Sequence, residues 1–190
     1  ELMFFERVLG TLVWRTGRYQ DLDVGEWFRF VDLDRDGDLD LMGELRNSFI
    51  RVWRNDGTPK VAQFAAIADS LRDVDGKAIF ADQQNILNTV DVDCNGKLDL
   101  FIGRVSGTID RHEEDGRSAN GMPRFRFLTE RWEEIEIIGG VAGGDGAVAR
   151  PSLHGANTMA FADVDADGDP ELYWGDFFEP GLLRIDNLGS

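Results

Sequence analysis

Apolar and polar positions alternate along this chain in short stretches, and three acidic nonapeptides punctuate them. Phe28 and Phe30 share one face before the first nonapeptide, Leu87 and Thr89 before the second, Met159 and Phe161 before the third. A period of two marks a β-strand. After each nonapeptide comes an apolar run closed by glycine: Leu41-Met42-Gly43, Leu100-Phe101-Ile102-Gly103 and Leu172-Tyr173-Trp174-Gly175. These runs are strand signals too, so each nonapeptide joins two strands. The pattern predicts strands near 26–32, 39–45, 48–54 and 61–67, again near 86–91, 98–104, 107–113 and 124–128, and again near 158–163, 171–176 and 181–186.

The repeats fix an expected organisation. Residues 25–80 and 81–157 each hold a complete unit, the second ending in a glycine-rich linker over 139–157, and 158–190 hold a partial one. Residues 1–24 read as the second to fourth strands of another partial unit, because Leu2-Met3-Phe4-Phe5 parallels Leu100-Phe101-Ile102-Gly103. A third strand would end at Val13-Trp14-Arg15-Thr16, and a short fourth would lie near 19–22. Residues 133–138 would extend the last edge of the second complete unit, and the polar stretch 113–123 would be an exposed loop. Asn55-Asp56-Gly57 suits a hairpin turn, Asn187-Leu188-Gly189 matches it, and Asp73-Val74-Asp75-Gly76-Lys77 reads as an ordinary Asp-Gly turn. Gly143-Gly144-Asp145-Gly146 lacks the Lys-Ser/Thr of a phosphate loop.

The nonapeptides carry the chemistry. They are Asp32-Leu33-Asp34-Arg35-Asp36-Gly37-Asp38-Leu39-Asp40, Asp91-Val92-Asp93-Cys94-Asn95-Gly96-Lys97-Leu98-Asp99 and Asp163-Val164-Asp165-Ala166-Asp167-Gly168-Asp169-Pro170-Glu171. Carboxylates packed this closely repel one another unless a cation lies among them. Hard divalent cations favour oxygen ligands, and Ca²⁺ tolerates six to eight irregular contacts. The glycine at the sixth position allows a sharp turn. An EF-hand needs a bidentate Glu at position 12. Here that position is Gly43, Ile102 or Trp174, so the EF-hand is excluded, and the ninth position is acidic instead. The side-chain ligands expected are Asp32, Asp34, Asp36 and Asp40; Asp91, Asp93, Asn95 and Asp99; and Asp163, Asp165, Asp167 and Glu171. Asn95 is neutral and Lys97 is positive, so the second loop is expected to hold its ion least tightly.

With these motifs in view, the sequence resembles the FG-GAP or VCBS repeats of integrin-α-like β-propellers. Phe30-Val31-Asp32-Leu33-Asp34-Arg35-Asp36-Gly37-Asp38-Leu39-Asp40-Leu41 followed by Val52-Trp53-Arg54-Asn55-Asp56-Gly57 carries the resemblance. It implies an all-β toroid of four-stranded blades, or a segment of one, with Ca²⁺ bound between a blade's first and second strands. It also implies a backbone carbonyl ligand at the seventh position, which is Asp38, Lys97 or Asp169. Three Ca²⁺ sites result. Since propeller repeats need several neighbours to close a ring, the resemblance implies a larger parent chain or self-association that completes it. A fold of this kind does not specify function. The expectation is a non-catalytic, calcium-stabilised binding or adhesion module with a protein or glycan ligand. The alternatives are a lectin, and an accessory or scaffold propeller of a carbohydrate-active enzyme.

Composition narrows the partners. Of 190 residues, 42% are hydrophobic and 29% charged, which suits a globular protein with a core. The formal net charge is −16, which disfavours nucleic acid and anionic membrane as partners. No apolar stretch reaches the ~20 residues of a membrane-spanning helix. The single cysteine, Cys94, excludes an internal disulfide, and its ring of carboxylates suppresses the thiolate. Loops of this type fill readily where Ca²⁺ is millimolar, so a secreted or cell-surface location is expected. Trp14, Trp53 and His112 fall at comparable places in successive third strands, where they would pack between sheets or form an aromatic sugar platform. His154, in the linker, is assigned no role.

Overall fold

The computed structural model describes residues 1–82, 86–136, 158–175 and 182–189. The expected linker, His154 and the Gly143–Gly146 stretch lie outside them. The described residues are all-β, with thirteen strands in four antiparallel sheets and three short 3-10 turns. No described helix is long and apolar enough to cross a membrane. The chain divides into two compact units, Glu1–Leu71 and Arg72–Ser190.

In the first unit, β1 (Phe4–Val8) and β2 (Thr11–Thr16) form a hairpin, and β3 (Phe28–Val31), β4 (Asp40–Leu45), β5 (Phe49–Asn55) and β6 (Phe64–Ala68) form a meander. The core gathers Leu2, Leu22, Val24, Leu41 and Trp53. In the second unit, β7 (Asn88–Val90), β8 (Asp99–Gly103), β9 (Ile109–Arg117) and β10 (Pro123–Thr129) repeat the meander. A three-stranded sheet follows: β11 (Thr158–Ala162), β12 (Glu171–Gly175) and β13 (Leu182–Ile185). Its core joins Val92, Phe101, Ile109, Met159, Leu172 and Trp174. The rings of Phe101, Trp132 and Phe161 close it, with Phe101 4.7 Å from each of the other two. β8 is buried along its whole length, which is why its sequence lacks alternation.

Three expectations change. The residues near 19–22 form a 3-10 turn (Tyr19–Asp21), not a fourth strand. A matching turn, Trp132–Glu134, occupies the start of the stretch expected to extend the strand edge; Glu136 alone bridges to Thr108, and residues 137–138 lie outside the described residues. Both follow a Thr-x-Arg segment in which the arginine N–H donates to the threonine Oγ1 at 3.0 Å: Arg18 to Thr16, and Arg131 to Thr129. Gln20 (φ 51°) and Glu133 (φ 53°) adopt the same left-handed backbone. Finally, 113–123 is mostly strand. β9 runs on to Arg117 because its polar side chains are paired: Arg117 with Glu114 at 2.7 Å, and Arg126 across the hairpin with Asp115.

The β-bulges align the sheets. The register shifts between Val52 and Trp53 against β6, between Arg111 and His112 against β10, and between Phe4 and Phe5 against β2. By this register β1 and β2 match the third and fourth strands of the two meanders, rather than the second and third. Phe5, not Trp14, is the counterpart of Trp53 and His112. Those two residues are each 4% exposed, so the aromatic platform does not exist in that form. Trp53 packs with Leu2, Leu22, Val24 and Leu41, and His112 against Phe127 of its own sheet, while Trp14 is exposed.

His112 is buried edge-on against Phe127, with neither ring nitrogen hydrogen-bonded. Burial pushes its pKa down to about 4, against Asp110 and Asp73, which raise it, and Arg104 and Lys77, which lower it. The folded state therefore keeps this ring neutral while the unfolded chain protonates it near pH 6.5. Stability from this residue is fully present above pH 6.5 and is lost as the pH falls toward 4, by up to about 3 kcal/mol. Denaturation of His112→Leu between pH 7 and 4 is expected to show less acid destabilisation than the native chain. An identical pH dependence in the two would contradict it.

Candidate metal centre

Each acidic nonapeptide is a turn between the first and second strands of its sheet, and the three share one hydrogen-bond plan. The carboxylate at position 9 accepts the N–H of position 2: Asp40 from Leu33 at 3.0 Å, Asp99 from Val92 at 3.1 Å and Glu171 from Val164 at 3.0 Å. The carboxylate at position 1 accepts the N–H of the glycine: Asp32 from Gly37, Asp91 from Gly96 and Asp163 from Gly168. The side-chain oxygen at position 5 accepts the N–H of position 7: Asp36 from Asp38, Asn95 from Lys97 and Asp167 from Asp169. The glycines lie at φ 93°, 82° and 100°. Only glycine adopts that backbone without strain, so the turn needs it there.

This folding draws the carboxylates together. One oxygen from each of Asp32, Asp34 and Asp36 lies within 4.8 Å of the others, and the same holds for Asp91, Asp93 and Asp99 and for Asp163, Asp165 and Glu171. These three acidic clusters could hold metal ions. Asp40 stands apart from the first cluster, because its other oxygen accepts the Asn55 N–H at 2.8 Å. Asn95 and Lys97 turn their side chains outward to Glu113, at 2.9 and 2.6 Å. Asp38 is buried. Asp167 serves the turn, and Asp169 lies 3.5 Å from the Cys94 Sγ.

The charge is incompletely answered by the protein. Burial pushes the Asp40 carboxyl up to about 6, even though Asn55 and Leu33 donate to it, and burial likewise pushes Asp99 up. Several buried carboxylate oxygens have no hydrogen-bond partner, namely Asp32 Oδ1, Asp38 Oδ1, Asp93 Oδ1 and Glu171 Oε1. Glu171 is entirely buried. Unpartnered anionic oxygens inside a protein are costly. A hard cation among them would remove the cost, so the donor set fits a divalent ion with a preference for oxygen.

Sequence reasoning missed the arginines. Arg111 on β9 donates from Nε to Asp99 Oδ1 at 2.8 Å and from Nη2 to Asp93 Oδ2 at 2.7 Å. Arg184 on β13 donates to Asp165 Oδ2 at 3.1 Å and pairs with Asp186. Only the strand register, which pairs Phe101 with Arg111 and Tyr173 with Arg184, could have found them.

The position-9 carboxylate is structural with or without a metal. Asp99→Ala strips a buried acceptor from the Val92 N–H and from Arg111, and costs of this kind run to about 3–5 kcal/mol. Thermal denaturation in excess EDTA is expected to show this loss undiminished. A variant that matches the native chain under EDTA would show that the carboxylate serves only an ion.

No family model matches the chain, and no curated protein or solved structure does either.

Proposed function

We propose that the chain is a calcium-stabilised, non-catalytic binding module, built from the blades of an integrin-α-like propeller or a segment of one. One observation carries the proposal: three turns that share three hydrogen bonds each gather three carboxylates, and the fully buried Glu171 leaves Oε1 without a partner. The ions are Ca²⁺ rather than Mg²⁺, because the turns supply many irregular oxygens instead of a compact octahedron. Asp32, Asp34 and Asp36 hold the first, Asp91, Asp93 and Asp99 the second, and Asp163, Asp165 and Glu171 the third. The carbonyls of Asp38, Lys97 and Asp169 complete them. A cage filled by protein oxygens leaves no open position for Lewis-acid chemistry, so the ions serve structure.

The partner is a protein or glycan met outside the cell, where millimolar Ca²⁺ fills such turns. Adhesion or binding is favoured over the lectin reading, since Trp53 and His112 are buried and unavailable to a sugar.

A site held at 100 times its dissociation constant contributes about 2.7 kcal/mol. The melting temperature is therefore expected to fall markedly in excess EDTA, to recover with Ca²⁺, and to recover poorly with Mg²⁺. Superimposable melting curves with EDTA and with Ca²⁺ would overturn the proposal.

A further inference from the structure

The three turns share their backbone plan but not their charge. At position 11, two residues past the last carboxylate, the second strand of each sheet pairs with one residue of the third strand. That residue is Val52 opposite Met42, Arg111 opposite Phe101, and Arg184 opposite Tyr173. Val52 is apolar and buried, and Arg54, two residues on, donates to Asp56 and acts on Asp34 and Asp40 through its charge alone. The two arginines reach the turn and bind the aspartate at position 3, Asp93 or Asp165. Arg111 holds the position-9 carboxylate, Asp99, as well. Its side chain is only 13% exposed, so its charge is poorly screened by water.

We propose that this one register position sets the metal affinity of each turn: valine leaves the first to a metal ion, while arginine supplies the second and third with a built-in cation that competes for the same oxygens. The inference rests on the calcium reading above. It changes the expected order of affinities, because the third turn, with as many carboxylates as the first, becomes weak as well. Guanidinium is a fitting occupant. It is permanently charged and bridges two carboxylates with a fixed fork. To bind Ca²⁺ in the second turn, Asp93 and Asp99 must each give up a charge-assisted hydrogen bond. In the third, only Asp165 must do so, and Arg184 retains Asp186 as an alternative partner. The order is then first, third, second. The second turn stays ordered without metal, while the first depends on it.

Titration calorimetry with Ca²⁺ on the native chain, Arg111→Val, Arg184→Val and Arg111→Lys tests this. The native chain is expected to show one tight site. Arg111→Val and Arg184→Val are each expected to tighten one further site about tenfold or more, and Arg111→Lys, which keeps the charge, to tighten none. If Arg111→Val unfolds in EDTA, filling of its second turn after refolding in Ca²⁺ at a lower concentration than the native second turn requires supports the proposal, filling at the same concentration overturns it, and the half-exposed Arg184 gives an independent test. Three equal native sites, or unchanged affinities in both valine variants, would overturn the proposal while leaving the calcium reading intact. No heat of Ca²⁺ binding in any of the four proteins would overturn the calcium reading itself.

Discussion

The buried carboxylate at the ninth position of each turn anchors what surrounds it. It sits at the start of the second strand and accepts the N–H of the second turn residue, so one side chain closes the turn and fixes where pairing begins. The second residue is thereby pinned, and in two of the three turns its side chain, Leu33 or Val92, is driven into the core. A negative charge at the end of an apolar strand is a poor arrangement by itself. It persists because backbone donors, arginines or an ion can answer it.

That constraint explains why the turns and the sheets were so legible from sequence. A repeated pattern of Asp at positions 1 and 3, Gly at 6 and acid at 9 encodes hydrogen bonds between neighbours in the chain, and the flanking strands follow from periodicity. The meander strands appeared within a few residues of where alternation placed them. The Asn55 and Asn187 turns share one bond, the Asn Oδ1 accepting the N–H of the glycine two residues on, at 3.0 and 3.2 Å.

What sequence concealed depends on partners distant in the chain. Arg111 lies 18 residues from Asp93 and meets it only because β9 pairs with β8. The extension of β9 to Arg117 rests on ion pairs, to which a search for apolar alternation is blind. The Thr-x-Arg turns at Tyr19 and Trp132 share too few residues to be seen as a repeat until their backbones are compared. The phase of residues 1–24 is hidden for the same reason: an apolar run resembling that of β8 sits where the register shift places a third strand.

The bulge shared by β5–β6, β9–β10 and β1–β2 has a consequence for solubility. Among the described residues the outer strand of each pair, β6, β10 or β2, is the last of its sheet, and only some of its backbone groups are taken: Phe125 of β10 accepts the Val74 N–H, and Phe64 of β6 donates to the Gln20 side chain. A bulge adds local twist and interrupts the even spacing of those groups. An incoming strand therefore meets a template that is regular for only a few residues. In β10 the outward Arg126, already paired with Asp115, adds charge to that edge. Because the irregularity recurs at one register, each of these outer strands limits in the same way how many residues an added strand could pair with.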